Sequence, residues 1–321
     1  MPDSGSEPDD PGSDDSPRSG HGSSEADNDG TISWGGLADE STARLAAAGI
    51  DGARRQALLI VMKACGADST EWFSTSSDPA TVRGVAAIDT MVGRRSAGEP
   101  LQYVLGEWSF RHLDLFIDRR VLIPRPETEV VAGRALAELH RLAPGKTPIV
   151  AADMGTGSGA IGLSLVTEHP AVQMWLTDVS GEALAVARAN LAGIGYPGQR
   201  VRVGQGSWFE ALPDDLSGQF GLIVSNPPYV PADLELSTEV AEWEPDMALV
   251  SGPTGTEYLE HLIVESPNWL TSDGSLVLEL SPEQAEPMSR LAAGTFAQVA
   301  IARDLSGRDR ALIARMAPIA D

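Results

Sequence analysis

Cysteine is nearly absent from this 321-residue chain: Cys65 is the only one, which excludes an internal disulfide and any zinc cluster built on several thiolates. The five histidines are scattered without ligand spacing, so no metal site is expected. No apolar run approaches the ~18 residues that a membrane span needs. The first residues are acidic, unlike a secretory signal or an arginine-rich transit peptide. These absences point to a cytoplasmic, metal-free protein without a membrane segment. Positive charge is scarce as well, since 23 Lys and Arg face 46 Asp and Glu for a net charge of -23. Such a surface repels phosphate backbones, so direct nucleic-acid contact is not expected and a basic protein partner suits it better.

What remains is a globular composition, with 42% hydrophobic residues and a mean hydropathy of -0.09, in a chain long enough for two domains. Residues 1–30 carry nine acidic side chains against Arg18 and almost nothing apolar, the composition of a disordered acidic tail. Over 31–98 the spacing turns helical: Leu58, Val61, Met62 and Cys65, then Val85, Ile88 and Met91, recur at three and four residues. Gly49, Gly66 and the Ser74–Pro79 stretch punctuate this small helical domain, which reads as a packing and docking module. Over 99–125, Trp108–Phe110 and Leu113–Asp118 largely alternate at period two, as in a β-hairpin connector. Prolines flank Arg125, and Glu127 or Thr128 can cap a helix over 130–140.

From 126 to 321 the pattern is α/β, a doubly wound, mostly parallel seven-stranded sheet of the Rossmann-like kind. Strands are expected at Ile149–Asp153, Val172–Thr177, Val201–Val203, Gly221–Ser225 and Ser275–Leu280, with a closing pair at Ala297–Ala302 and Ala311–Arg315. Gly155-Thr156-Gly157-Ser158-Gly159 follows the first strand and opens a helix, so backbone N–H groups there can approach a ligand closely. Asp178 ends the second strand, where a carboxylate can bond both hydroxyls of a ribose.

The fourth strand runs into Asn226-Pro227-Pro228-Tyr229. Neither proline has an N–H, and each biases the residue before it toward extended geometry, so the chain leaves the sheet in a stiff turn. A bare Asn-Pro-Pro is a turn in most proteins. At this place the tetrad resembles the signature of amino-group methyltransferases that use S-adenosylmethionine. A planar NH2 group is a poor nucleophile. The Asn226 side-chain oxygen and a neighbouring carbonyl can accept its two N–H bonds, and the Tyr229 ring can fix its plane.

From about Gly98 to the C-terminus the chain resembles the HemK/PrmC family, the N5-glutamine methyltransferases of peptide chain release factors, and the helical domain ahead fits by size and position. The resemblance rests on Gly98–Tyr103, Leu122–Glu129, Asp153–Gly159 and Asn226–Tyr229, with a looser match over Asp304–Arg310. The Pro124–Glu129 element favours release factors over the related ribosomal-protein glutamine methyltransferases. By resemblance, Gly155, Thr156, Gly157, Ser158 and Gly159 cradle the methionine end of S-adenosylmethionine, and Asp178 its ribose. Trp208 matches a family tryptophan beside the adenine, with an ordinary core aromatic as the alternative. Asn226, Pro227, Pro228 and Tyr229 hold the substrate glutamine, and Arg125 is either a junction salt bridge or a substrate contact. One departure is Glu279-Leu280-Ser281, where the family continues as Glu-X-Gly, which puts the local loop shape in question. The expected protein is a monomer acting on release factors. The alternatives are N6-adenine methylation of nucleic acid, which shares the tetrad, and a silent module that binds release factors.

Overall fold

The computed structural model describes residues 31–142, 148–235 and 237–317, so the tail expected over 1–30 lies outside the described residues. The amino-terminal part comprises α1 (Trp34–Ala47), α2 (Ala53–Cys65), α3 (Trp72–Thr75) and α4 (Val82–Ser96). Ser33 and Thr81 start α1 and α4 by accepting the Gly36 and Gly84 N–H groups at 3.1 and 3.0 Å. Leu45, Ile60, Val61, Ile88 and Val92 form the core between these helices. Gly84 permits the tight approach of α4 to α1, because a Cβ there would meet the Trp34 ring at 2.1 Å.

A further helix, α5 (Leu101–Leu105), occupies residues expected to belong to the connector. Its Leu101 and Val104 join the same helical core. Pro100 precedes it and Gly106, at φ 70°, ends it, but one turn and a half is too short to show a period. Then β1 (Glu107–Phe110) and β2 (Leu113–Phe116) pair antiparallel as a hairpin. The next helix, α6 (Pro126–Leu142), starts earlier than the sequence suggested. Pro126 takes the first helical position, where its missing N–H costs nothing, so Glu127 and Thr128 sit inside the first turn and do not cap it.

The sheet contains β3 (Ile149–Met154), β4 (Val172–Asp178), β5 (Val201–Gln205), β6 (Phe220–Ser225), β7 (Leu270–Glu279), β8 (Gln298–Arg303) and β9 (Asp309–Arg315). Its order is β5-β4-β3-β6-β7-β9-β8, with β9 antiparallel to both neighbours and the other pairs parallel. Helices α7 (Ala160–Glu168), α8 (Gly181–Gly193), α9 (Thr238–Trp243), α10 (Glu257–Glu265) and α11 (Pro282–Ala292) complete the chain. The α/β architecture is therefore the doubly wound one expected, with a helical part ahead of it.

Successive side chains of β6 explain the two layers. Leu222 and Val224 pack with Val131 of α6 and Leu163 of α7, whereas Ile223 packs with Leu259 of α10 and Met288 of α11. With both faces covered, the strand is apolar throughout. Strand order reverses direction between β3 and β6, which opens a crevice at their carboxyl ends. Among the described residues no helix is long and apolar enough to cross a membrane.

Candidate active site

A cavity of about 400 Å³ lies at that crevice. Gly155, Thr156, Gly157 and Ser158 line it from the end of β3, and Asp178 lines it from the end of β4. Trp208, Asn226 and Pro228 line it as well. Gly155, Gly157 and Gly159 all have φ between 54 and 86°. That left-handed backbone turns the Gly157 N–H onto Asp178 Oδ2 at 3.0 Å. Gly159 does not line the cavity; it occupies the N-cap position of α7.

Asp178 has its other oxygen on the Ser180 N–H at 2.9 Å. Burial pushes its carboxyl above the usual range, while the N–H groups of Ser180, Gly157 and Val179 pull the other way. A carboxylate has about four acceptor sites, so Asp178 keeps acceptor capacity toward the cavity. Asp153, at the end of β3, is a second cavity carboxylate. Its Oδ2 accepts from the Thr156 hydroxyl at 2.6 Å and the Gly162 N–H at 2.9 Å. Full burial, with Asp178 nearby, raises its pKa to about 6 despite those two bonds. Position alone could have flagged Asp153, since it is the last polar residue of its strand, two before the glycine loop.

Trp208 stands at φ 47°, a conformation that costs a bulky residue roughly 1–2 kcal/mol. Its ring lies 5.1 Å from that of Tyr258, which also lines the cavity, and it flanks Gly155. Trp208 is thus a cavity wall, and Tyr258, which the sequence reading missed, is its neighbour.

The tetrad divides. Ser225 ties the end of β6 to β3 through a 2.6 Å bond from its hydroxyl to the Met154 carbonyl. Asn226, next along, is half-buried, and its Nδ2 donates to Thr128 Oγ1 at 3.4 Å. Pro227 is buried and does not line the cavity. Tyr229 does not line it either: its hydroxyl donates to Glu279 Oε1 at 3.2 Å, and its carbonyl accepts from Gln284 Nε2 at 2.9 Å. The expected ring lid is therefore not what this placement provides, because the buried carboxylate draws the phenol away from the cavity. Ser281 needs no glycine geometry, since it sits at φ -77° before α11 and its N–H donates to Gln284 Oε1 at 3.1 Å.

Residues 37–106 match the family model described as PrmC N-terminal domain, and residues 137–243 match the Methyltransferase small domain. The release factor glutamine methyltransferase of Chlorobaculum tepidum is 36% identical over 268 residues, which span 82% of this chain and 90% of the relative. That of Deinococcus radiodurans is 36% identical over 282 residues, 88% and 98% of the two chains. The chain belongs to the release factor glutamine methyltransferases. A solved methyltransferase structure from Pyrococcus furiosus overlaps 64% of this chain and 89% of its own at 19% identity and a TM-score of 0.47.

The first family domain ends at residue 106, so it takes in α5 and stops where β1 begins. In this family member the far cavity wall comes from two segments that sequence reasoning did not place at the site. One is Arg120, Val121, Leu122 and Pro124; the other is Pro245, Met247, Ala248 and Val250. Glu244, only 6% exposed, clasps them: its carboxylate accepts from the Ile123 N–H at 3.2 Å and pairs with the Arg125 guanidinium. Arg125 is thus a junction salt bridge, as one of its two readings held. From the helical part, Arg95 reaches Glu239 of α9 at 3.2 Å, and the Tyr103 hydroxyl donates to the Val121 carbonyl at 2.6 Å. Arg119 lies 5.0 Å over the Trp243 ring. The helical part therefore touches one lining segment at Val121 and the helix that leads to the other.

Proposed function

We propose that this methyltransferase carries a methyl group from S-adenosylmethionine to the side-chain amide nitrogen of a glutamine in a peptide chain release factor. The observation that carries the reading is the convergence of three features on one cavity: the glycine loop, Asp178, and Asn226 at the start of a double-proline turn. The family names its substrate class, and both curated relatives cited above span most of this chain.

The residues present fit the methyl donor. A volume of about 400 Å³ suits a nucleoside-sized ligand. Gly155, Thr156, Gly157, Ser158 and Gly159 offer backbone at a helix N-terminus, Asp178 has acceptor capacity for ribose hydroxyls, and Trp208 with Tyr258 forms an aromatic wall. When bound, S-adenosylmethionine supplies a methyl carried on a positively charged sulfur. Two carboxylates in the cavity, Asp153 and Asp178, suit a cationic ligand.

For the acceptor, the Asn226 side-chain oxygen and a neighbouring backbone carbonyl accept the two N–H bonds of the substrate amide, and the rigid Pro227-Pro228 turn holds Asn226 in place. The contribution is orientation and electrostatics, without a covalent intermediate. Tyr229 acts as a brace for the turn. The net charge of -23 disfavours the adenine reading, because a phosphate backbone would be repelled.

Single-turnover methylation of a purified release factor, with cofactor saturating, tests the assignment. Asn226→Ala is expected to keep the fold and the cofactor affinity while slowing transfer about 10²–10³-fold, the scale for losing one preorganised polar contact. Transfer at close to the wild-type rate would reduce the tetrad to a turn.

A further inference from the structure

Gln284, in the first turn of α11, is 7% exposed and lies outside the cavity lining, yet both ends of its side-chain amide are engaged. Its Oε1 accepts from the Ser281 N–H at 3.1 Å. Its Nε2 donates twice, to the Tyr229 carbonyl at 2.9 Å and to the Gly255 carbonyl at 3.0 Å. An amide NH2 has two protons, so these two carbonyls take its whole donor capacity.

The two carbonyls belong to different parts of the cavity. Tyr229 directly follows Pro228, a lining residue of the turn that begins at Asn226. Gly255 leads within three residues to Tyr258, a lining residue whose ring lies 5.1 Å from that of Trp208. The seam between them is tight. A Cβ on Gly255, which stands at φ 78°, would meet the Tyr229 carbonyl oxygen at 2.7 Å and the Pro231 nitrogen at 2.9 Å. Backbone bonds of 3.0 Å run beside it, from the Val230 N–H to the Leu249 carbonyl and from the Ser251 N–H to the Val230 carbonyl. Pro227 and Pro228 have no N–H with which to tie the turn to this loop, so the tie is made at Tyr229.

We propose that Gln284 is a positioning residue: by holding the Tyr229 and Gly255 carbonyls on one amide, it fixes the spacing between the Asn226 turn and the Trp208–Tyr258 wall. The proposal rests on Asn226 as the acceptor site and on that wall as part of the cofactor site. Spacing matters because the attacking nitrogen and the methyl group must meet in line at about 3–3.5 Å, and a misplacement of about 1 Å can cost about 10²-fold in rate.

The test uses the full chain and three variants. Gln284→Met is of similar length but has no donor for the two carbonyls. Gly255→Ala inserts a Cβ into the seam. Arg290→Gly weakens the same helix from its exposed face and leaves the seam alone. The first readout, which needs no methyl transfer, is the crystal structure of wild type and Gln284→Met, in which the Tyr229 and Gly255 carbonyls should move apart. The second is single-turnover methylation of a release factor with both ligands saturating. Gln284→Met should slow transfer about 10–100-fold with cofactor affinity within about threefold. Arg290→Gly should lower the thermal midpoint and keep the wild-type rate. A folded Gln284→Met in which either the seam or the rate is unchanged overturns the proposal. So does an Arg290→Gly that slows transfer as much, since loss of helix stability would then account for the effect. If Gln284→Met does not fold, Gly255→Ala takes its place in both readouts, and a wild-type rate in that variant overturns the proposal. A wild type that transfers no methyl to a release factor defeats the functional reading. The structures then decide the spacing role alone, an opened seam supporting it and an unchanged one overturning it.

Discussion

Asp178 and Asp153 lie at the carboxyl ends of neighbouring strands, last and next to last, yet their surroundings give them different consequences. Asp178 keeps acceptor capacity toward the cavity, so Asp178→Ala is expected to weaken S-adenosylmethionine binding by about 1–3 kcal/mol, the cost of stranding buried hydroxyls. Calorimetry on the folded variant measures this, and an unchanged affinity would remove Asp178 from the site. Asp153 has its pKa raised from 3.8 to about 6, chiefly by burial. The folded protein then holds that proton more tightly than the unfolded chain does. The resulting stabilisation is complete below about 3.8 and disappears as pH rises through about 6. Asp153→Asn can still accept from Thr156 and Gly162 but has no proton to lose. Between pH 5 and 7.5 its stability relative to wild type should therefore rise by about 1–2 kcal/mol, read from urea unfolding at the two pH values. A constant difference would mean that Asp153 does not titrate in that window. Asp178 stood out in the sequence because it ends a strand, and the structure puts it in the cavity lining. Glu279 did not, since what marks it is its burial against the Tyr229 hydroxyl, 50 residues away in sequence, and burial is invisible in a one-dimensional pattern.

At the level of elements, the strands were the readable part, because β6 is apolar throughout and runs into Asn226, β3 runs into Gly155, and β4 ends in Asp178. Their edges were less so: β7 begins at Leu270, five residues before the expected Ser275, through a stretch where polar Thr271, Ser272 and Asp273 hide the strand. The wall from Pro245 to Val250 is a single short turn, closed by the Ala248 and Leu249 N–H groups on the Pro245 and Asp246 carbonyls, too short to show a period and placed by distant contacts. Glu244 is the chief of these, and Arg125 is its charged partner. Arg125→Ala leaves a buried carboxylate with only the Ile123 N–H, so it is expected to cost about 1–3 kcal/mol of stability and to speed cofactor release. Glu244→Gln, which still accepts from Ile123, should cost less. Denaturant midpoints for the two variants decide the matter, and an Arg125→Ala protein as stable as wild type would show that the clasp contributes nothing.

For the whole molecule, charge and sheet order have the widest reach. A net charge of -23 predicts that the protein does not retard duplex DNA even at low salt, where phosphate attraction is strongest. A tight, salt-sensitive shift in a gel would revive nucleic acid as a substrate. The order of the sheet bears on how the protein is made. The last strand of the chain, β9, lies in the interior between β7 and β8. A nascent chain must therefore wait with the flank of β7 uncovered until Arg315 has left the ribosome. An uncovered, apolar strand edge is a template for pairing with other chains. A premature stop after Arg303 would leave the glycine loop, Asp178 and the tetrad encoded, yet without the strand that brings Arg310 to Glu279. Late nonsense mutations, far in sequence from every motif, should then give aggregated rather than merely slow enzyme.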